Sequence, residues 1–176
     1  MKRGHAVNWL ARALALIGGC VLLIITLITC VSIIGRALIF IGLGPVPGDF
    51  ELVEAGVGFA VFAFLPWCQI NRGHASVDIF TNFLSSSINR MIHLVAEIVM
   101  AIAIIIIALR LWSGMLTKIR YTDTTFILQF PIWWAYAASL FAAVIACVVA
   151  IYMVFVRWQE VTTGNSHFSQ KTGVEH

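Results

Sequence analysis

Apolar residues in this chain are gathered into four long stretches that are separated by short polar segments. Residues 13–35, 55–71 and 124–156 lack acidic, basic and histidine side chains, and a fourth run, residues 91–109, carries only His93 and Glu97. Each can supply the roughly 17–25 residues with which a helix crosses the hydrocarbon core of a bilayer. Continuous apolar runs favour helices over membrane strands, in which apolar and polar residues alternate. The pattern predicts an all-α integral membrane protein with four transmembrane helices, at about residues 13–38, 51–70, 91–112 and 131–156.

The first and third connections between the predicted helices are expected to be loops. Residues 42–50 contain two prolines and three glycines, which cannot continue a helix, so we predict a loop there. A second loop is predicted at residues 113–130, and Pro131 is expected to open the fourth helix, where a missing N–H costs nothing.

The second connection, residues 71–89, is expected to carry a short helix of its own. The apolar positions of residues 78–84 share one helical face, and Asp78 is suited to cap it, so we predict an interfacial helix. The domain organisation is then one membrane domain over residues 1–160 and a flexible tail over residues 161–176.

The distribution of basic residues predicts the orientation. With an even number of crossings both termini lie on one side, and cytoplasmic segments carry the excess of Lys and Arg. Placing both termini in the cytoplasm puts seven basic residues inside and four outside, which makes this the favoured orientation. The inner set is Lys2, Arg3, Arg12, Arg72, Arg90, Arg157 and Lys171, and the outer set is Arg36, Arg110, Lys118 and Arg120.

Tryptophans mark both predicted interfaces, because indole rings prefer the headgroup level. The six tryptophans fall at the ends of the apolar stretches, three on each side. The predicted inner belt is Trp9, Trp67 and Trp158, and the predicted outer belt is Trp112, Trp133 and Trp134.

Composition removes several function classes. Hydrophobic residues make up 61% of the chain and charged residues 11%, whereas a soluble domain has roughly 45–50% and about 25%. The net charge of +3 comes from the inner flanks and shows no basic patch interleaved with aromatics, so no nucleic-acid partner is expected. The four cysteines form no CxxC pair and the histidines show no ligand spacing, so we expect neither a metal nor a cofactor in this chain.

Three polar residues are a candidate for chemistry within the bilayer. Arg90, His93 and Glu97 are spaced by three and four, which places them on one face of the third helix. An acid at this depth is costly and suggests a role. Three interpretations stay open: Glu97 pairs with nearby basic residues, it contacts another subunit, or it lines an ion path. No set of residues suits catalysis, and we expect no enzyme activity.

Small residues are arranged so that helices can approach closely. Gly56 and Ala60 form a small-xxx-small pair, and a row of alanines spaced by three and four follows one side of the fourth helix. Such faces serve packing within the bundle or against a partner, and the sequence leaves both possibilities open.

Two segments and two flanking positions resemble a known family. Pro47-Gly48-Asp49-Phe50-Glu51-Leu52 is followed one span later by Asn71-Arg72-Gly73-His74-Ala75-Ser76-Val77-Asp78. Together with Arg36 and the run Pro131-Ile132-Trp133-Trp134, their order and spacing resemble the small membrane subunit (DctQ-like) of tripartite ATP-independent periplasmic (TRAP) transporters, over about residues 10–160. Members of that family often have Trp-Ser-Glu-Glu where this chain has Gly48-Asp49-Phe50-Glu51, so only Glu51 is retained in place.

The resemblance implies a non-catalytic subunit in the bacterial inner membrane. Its partners would be a large multi-span membrane subunit, which holds the substrate and sodium sites, and a periplasmic substrate-binding protein. The small subunit would brace the large one and help dock the binding protein during sodium-coupled symport of organic-acid anions such as C4-dicarboxylates. The residues expected to serve partner or structural contacts are Arg36, Glu51, Arg72, His74, Asp78, Arg90, Glu97, Trp133 and Trp134.

Two other functions are compatible with the sequence. The chain could be an autonomous small transporter that uses Glu97 as its coupling carboxylate, or a structural assembly subunit of another inner-membrane complex. The sequence does not identify a substrate.

Overall fold

The computed structural model describes residues 2–71 and 86–163. Four long helices account for most of them: α1 (Lys2–Ala37), α2 (Asp49–Ile70), α3 (Ser86–Tyr121) and α4 (Trp133–Thr163). Each contains a segment long and apolar enough to cross a membrane. The predicted all-α fold with four membrane-crossing helices is confirmed.

All four helices are longer than the predicted crossing segments, and α1 and α3 exceed them most. Helix α1 begins at Lys2 and α3 continues to Tyr121, so the segment predicted as loop from residue 113 is helical for its first part. Polar residues begin at Ser113, but residues 113–121 contain no proline, so the helix continues beyond the apolar run. Helix α4 begins at Trp133, two positions after Pro131.

The connection between α1 and α2 is a loop with one short 3-10 helix, Ile39–Ile41. Gly42 ends this turn with φ +88°, and Gly48 precedes α2 with φ +75°. Both values lie in the left-handed region that glycine adopts without steric cost. The interfacial helix predicted for residues 78–84 lies outside the described residues. Of the tail predicted for residues 161–176, the first three residues are the end of α4 and the others lie outside the described residues.

The helices pack in the order α1, α2, α4, α3. Helix α1 lies against α2, α2 against α4 and α4 against α3, while α1 touches α4 only slightly. Within the described residues, α1 and α3 form the two flanks and α4 is the most buried helix. We refer to the end of the bundle that carries residues 38–48 and 122–132 as the outer end, following the predicted orientation, and to the opposite end as the inner end.

Small residues mediate these contacts. A Cβ on Gly18 would lie 2.9 Å from the Ala63 side chain, and one on Gly114 would lie 2.8 Å from the Tyr136 ring, so α1–α2 and α3–α4 approach closely. On α4, Ala142, Ala146 and Ala150 are buried within the bundle. For this part of the alanine row, the structure selects packing within the chain over packing against a partner.

Candidate functional site

Glu51 binds the loop between α3 and α4. Its two carboxylate oxygens accept hydrogen bonds from the backbone N–H groups of Ile127, at 2.6 Å, and Leu128, at 2.9 Å. Glu51 lies in the first turn of α2, where a negative charge is favourable. The carboxylate therefore fixes the α3–α4 loop to the start of α2.

Hydrogen bonds and an ion pair between its own residues and the end of α3 also stabilise the α3–α4 loop. The Thr125 N–H donates to the Phe130 carbonyl at 2.9 Å, and the Ile132 N–H donates to the Asp123 carbonyl at 3.0 Å. The Lys118 ammonium donates to the Asp123 carboxylate at 2.8 Å and so connects the end of α3 to the loop. These bonds close the loop into a compact turn.

A side-chain contact joins the two outer connections. Leu128 packs over Gly48, so that a Cβ on Gly48 would overlap its side chain. Gly48 is buried and has a positive φ, and both properties exclude larger residues. Close packing at Gly48 thus reinforces the hydrogen bonds made by Glu51.

Ser32 and Asp49 hold the α1–α2 loop. The Ser32 hydroxyl donates to Asp49 Oδ2 at 2.6 Å and accepts from the Val46 N–H at 3.2 Å. Ser32 is only 1% exposed, so these bonds replace water for a hydroxyl within an apolar helix. Arg36, one turn further along α1, is exposed and attracts the Asp49 carboxylate electrostatically.

We call residues 38–51 and 122–132 the outer cap. Four of its polar side chains hold the two loops, namely Asp49, Glu51, Asp123 and Thr125, whereas several large apolar side chains are exposed. Phe126 is 94% exposed, and Phe40 and Phe50 are also largely exposed. The outer cap is therefore a fixed platform with apolar groups on its surface.

Trp133 and Trp134 lie beside the outer cap at the start of α4. Their rings form an edge-to-face pair with centroids 6.0 Å apart and an interplanar angle of 77°. Both remain partly exposed.

A polar contact joins α2 and α3 in the inner half of the bundle. The Gln69 amide of α2 donates to Glu97 of α3 at 3.2 Å, and Gln69 is 0% exposed. Arg157 of α4 is also buried. Of the three interpretations of Glu97, pairing with nearby basic residues is the one that places its partner within this chain. The observed bond also lies within the chain, but its donor is the Gln69 amide of another helix.

The structure locates only part of the predicted set of site residues. Arg36, Glu51, Trp133 and Trp134 all lie at the outer ends of their helices, and Glu97 lies in the inner half of α3. The side chain of Arg90 is not described, and Arg72, His74 and Asp78 lie outside the described residues.

Three residues with clear roles were not predicted: Ser32, Asp49 and Gln69. Ser32 precedes Arg36 by four positions and so shares its helical face, which was an available signal. The sequence signal for Gln69 was weaker, since it is a single amide within an apolar stretch. Within residues 2–71 and 86–163, no three His, Cys, Asp or Glu side chains are grouped as metal ligands.

These features define a small multi-pass α-helical membrane protein with a rigid platform at one end. The family model described as "Tripartite ATP-independent periplasmic transporters, DctQ component" matches residues 25–160. The chain belongs to this family and is a small membrane subunit of a TRAP transporter. No curated protein and no solved structure matches it. Members of the family work with a large membrane subunit and a substrate-binding protein.

Proposed function

We propose that this small subunit braces the large membrane subunit and helps dock the periplasmic substrate-binding protein. The uptake is sodium-coupled and carries organic-acid anions, with the ion and substrate sites in the large subunit. The chain resides in the bacterial inner membrane with both termini in the cytoplasm, so the outer cap faces the periplasm.

The observation that carries this proposal is the construction of the outer cap. Glu51 and Ser32 hold its two loops by hydrogen bonds, and Phe126 extends from it almost fully exposed. Preformed loops lose little conformational entropy when a partner binds, and exposed aromatic residues commonly supply most of the binding energy at protein interfaces. Both properties suit a docking platform.

The remainder of the bundle supports a bracing role. Helices α1 and α3 form the flanks, and each exposes large apolar side chains along its length. Such faces are covered by lipid or by another membrane protein. Glu97 has a structural partner in Gln69, which favours a bracing role over that of an ion-coupling carboxylate.

The test uses the complete transporter in proteoliposomes and measures the affinity of the binding protein by biolayer interferometry. Phe126→Ala should weaken binding roughly tenfold or more, because truncating an aromatic anchor commonly costs at least that. Trp158→Ala is the matched control, since it removes an exposed aromatic residue at the inner end. Equal affinity of the Phe126 variant and wild type would remove the docking role.

A second arm separates bracing from autonomous transport. The chain is purified with and without the large subunit, and uptake is measured in each case. We expect uptake only when the large subunit and binding protein are present. Uptake by the isolated chain would contradict the proposal and favour an autonomous transporter.

A further inference from the structure

A groove of about 580 Å³ opens between α2 and α4, and the α3–α4 loop of the outer cap lines its outer end. One wall is a stripe of α2 that includes Glu54, Gly58 and Phe62, and the other is a stripe of α4 that includes Tyr136 and Ser139. Eleven residues separate Glu51 from Phe62, so the groove reaches roughly 16 Å along the helix axis. That depth is about half the hydrocarbon thickness of a bilayer.

The two carboxylates of the lining lie at the outer end of the groove, together with Thr124, Thr125, Phe126 and Phe130 of the outer cap. Gly58, Phe62 and Ser139 line its deeper part. No Lys or Arg is among the lining residues. A groove with acids at the headgroup level and apolar walls below matches an amphiphile with a cationic head.

Glu54 is the acid available to such a ligand. The Glu51 carboxylate already accepts two loop N–H groups, whereas Glu54 is exposed and has no hydrogen bond or ion pair among the described residues. A cation at Glu54 would have a charged acceptor close to an apolar wall, where electrostatic attraction is stronger than in bulk water.

Ser139 supplies an independent observation. It is 6% exposed, lines the groove, and makes no side-chain hydrogen bond within residues 2–71 and 86–163. The hydroxyl is not fully enclosed but keeps accessible surface on the groove, so a polar group bound there can pair with it. Ser139 lies opposite Gly58, one helical turn or roughly 6 Å deeper than Glu54.

We propose that this groove binds one amine-headed phospholipid of the outer leaflet. The ammonium group bonds to Glu54, an ester carbonyl accepts the Ser139 hydroxyl hydrogen one turn deeper, and an acyl chain lies against Phe62. The proposal does not depend on the transport function. It favours a lipid over a partner side chain because Ser139 can pair with a polar group at ester depth while Phe62 can pack against an apolar one below it.

The first test measures retained lipid by native mass spectrometry. The full chain is exchanged into detergent that contains equal amounts of phosphatidylethanolamine and phosphatidylglycerol. Wild type should retain phosphatidylethanolamine preferentially. Glu54→Gln should reduce the preference about tenfold, as loss of a charge-assisted hydrogen bond implies, and Ser139→Ala should lower total retention.

Glu97→Gln is the charge-matched control, because it removes a carboxylate that does not line the groove and can still accept the Gln69 hydrogen bond. It should retain the wild-type preference. Soluble phosphoethanolamine should not displace the lipid, since it lacks the acyl chain. A preference that is absent from wild type, survives Glu54→Gln, or is lost equally in Glu97→Gln would overturn the proposal.

A second test identifies the occupant in the assembled transporter. Phe130, which lines the groove, is replaced by p-benzoylphenylalanine and the complex is irradiated in native membranes. A mass increase equal to one phospholipid supports the proposal. Cross-linking to the large subunit or to the binding protein would show that a protein side chain fills the groove, and would overturn it.

Discussion

Glu51 and Leu128 lie 77 positions apart in the chain, yet the Glu51 carboxylate accepts the Leu128 N–H at 2.9 Å. This bond, with its neighbour at Ile127, ties the start of α2 to the loop before α4. The two halves of the chain therefore share one platform at the outer end.

Removing the Glu51 carboxylate should release the α3–α4 loop. In Glu51→Ala the Ile127 and Leu128 N–H groups lose their acceptor, so their hydrogen exchange should accelerate by about tenfold or more, as expected when a hydrogen bond to a charged group is lost. The measurement is hydrogen–deuterium exchange of the full chain in detergent. Glu54→Ala, which removes a nearby acid without a described bond, should leave the loop protected. Unchanged exchange in the Glu51 variant would refute the role of the clamp.

Gly48 should be far less tolerant than Gly42, although both have a positive φ. In Gly42→Ala the new Cβ meets open space, so only the backbone cost of roughly 1–2 kcal/mol applies. In Gly48→Ala the Cβ also overlaps Leu128, which should add about 1–3 kcal/mol.

The comparison is made by thermal unfolding of both variants in detergent. Adding Leu128→Ala to Gly48→Ala should recover the packing part of the loss but not the backbone part. Equal melting temperatures for the two glycine variants would show that the contact with Leu128 is unimportant.

Ser32→Ala should destabilise the α1–α2 loop. The change leaves both the Asp49 carboxylate and the Val46 N–H without their partner, at a cost of about 1–3 kcal/mol. Thr26→Ala is the matched control, because its hydroxyl bonds only to the carbonyl four residues earlier in the same helix. The loss should appear as faster proteolysis within residues 38–48, and equal digestion of the two variants would count against the prediction.

Glu97→Gln should preserve the contact with Gln69, because a second amide can still accept a hydrogen bond at that position. Complex assembly and transport should change little. Glu97→Leu instead leaves the fully buried Gln69 amide without its partner and should reduce the yield of assembled complex. Complete loss of transport by an intact complex carrying Glu97→Gln would show that the carboxylate itself conducts or couples.

The helices could be predicted from the sequence because their cause is local. In lipid each backbone N–H must find a partner within its own segment, so a long apolar run is helical whatever it contacts. The ends of the helices were harder to predict, as α3 shows. No proline lies near residue 112, and Gly114 does not end the helix.

Residues of the candidate site could be predicted only where the pattern of neighbouring residues in the sequence identifies them. Glu51 was singled out, but its partners were not, since nothing in the spacing relates it to a loop 76 positions away. Ser32 was read as part of an apolar run, although its hydroxyl organises the first loop. The partner of Glu97 comes from a different helix, and spacing along α3 gives no information about the side chains of α2.

The packing order of the helices determines which helix pairs can form while the chain is being synthesised. Helix α2 follows α1 directly and lies against it, so this hairpin can form as soon as both have left the ribosome. Helix α3 packs mainly on α4, which is made last. Maturation of the protein is thus completed by its final helix, and a nascent chain that stops before residue 133 would present a finished hairpin beside a solitary third helix.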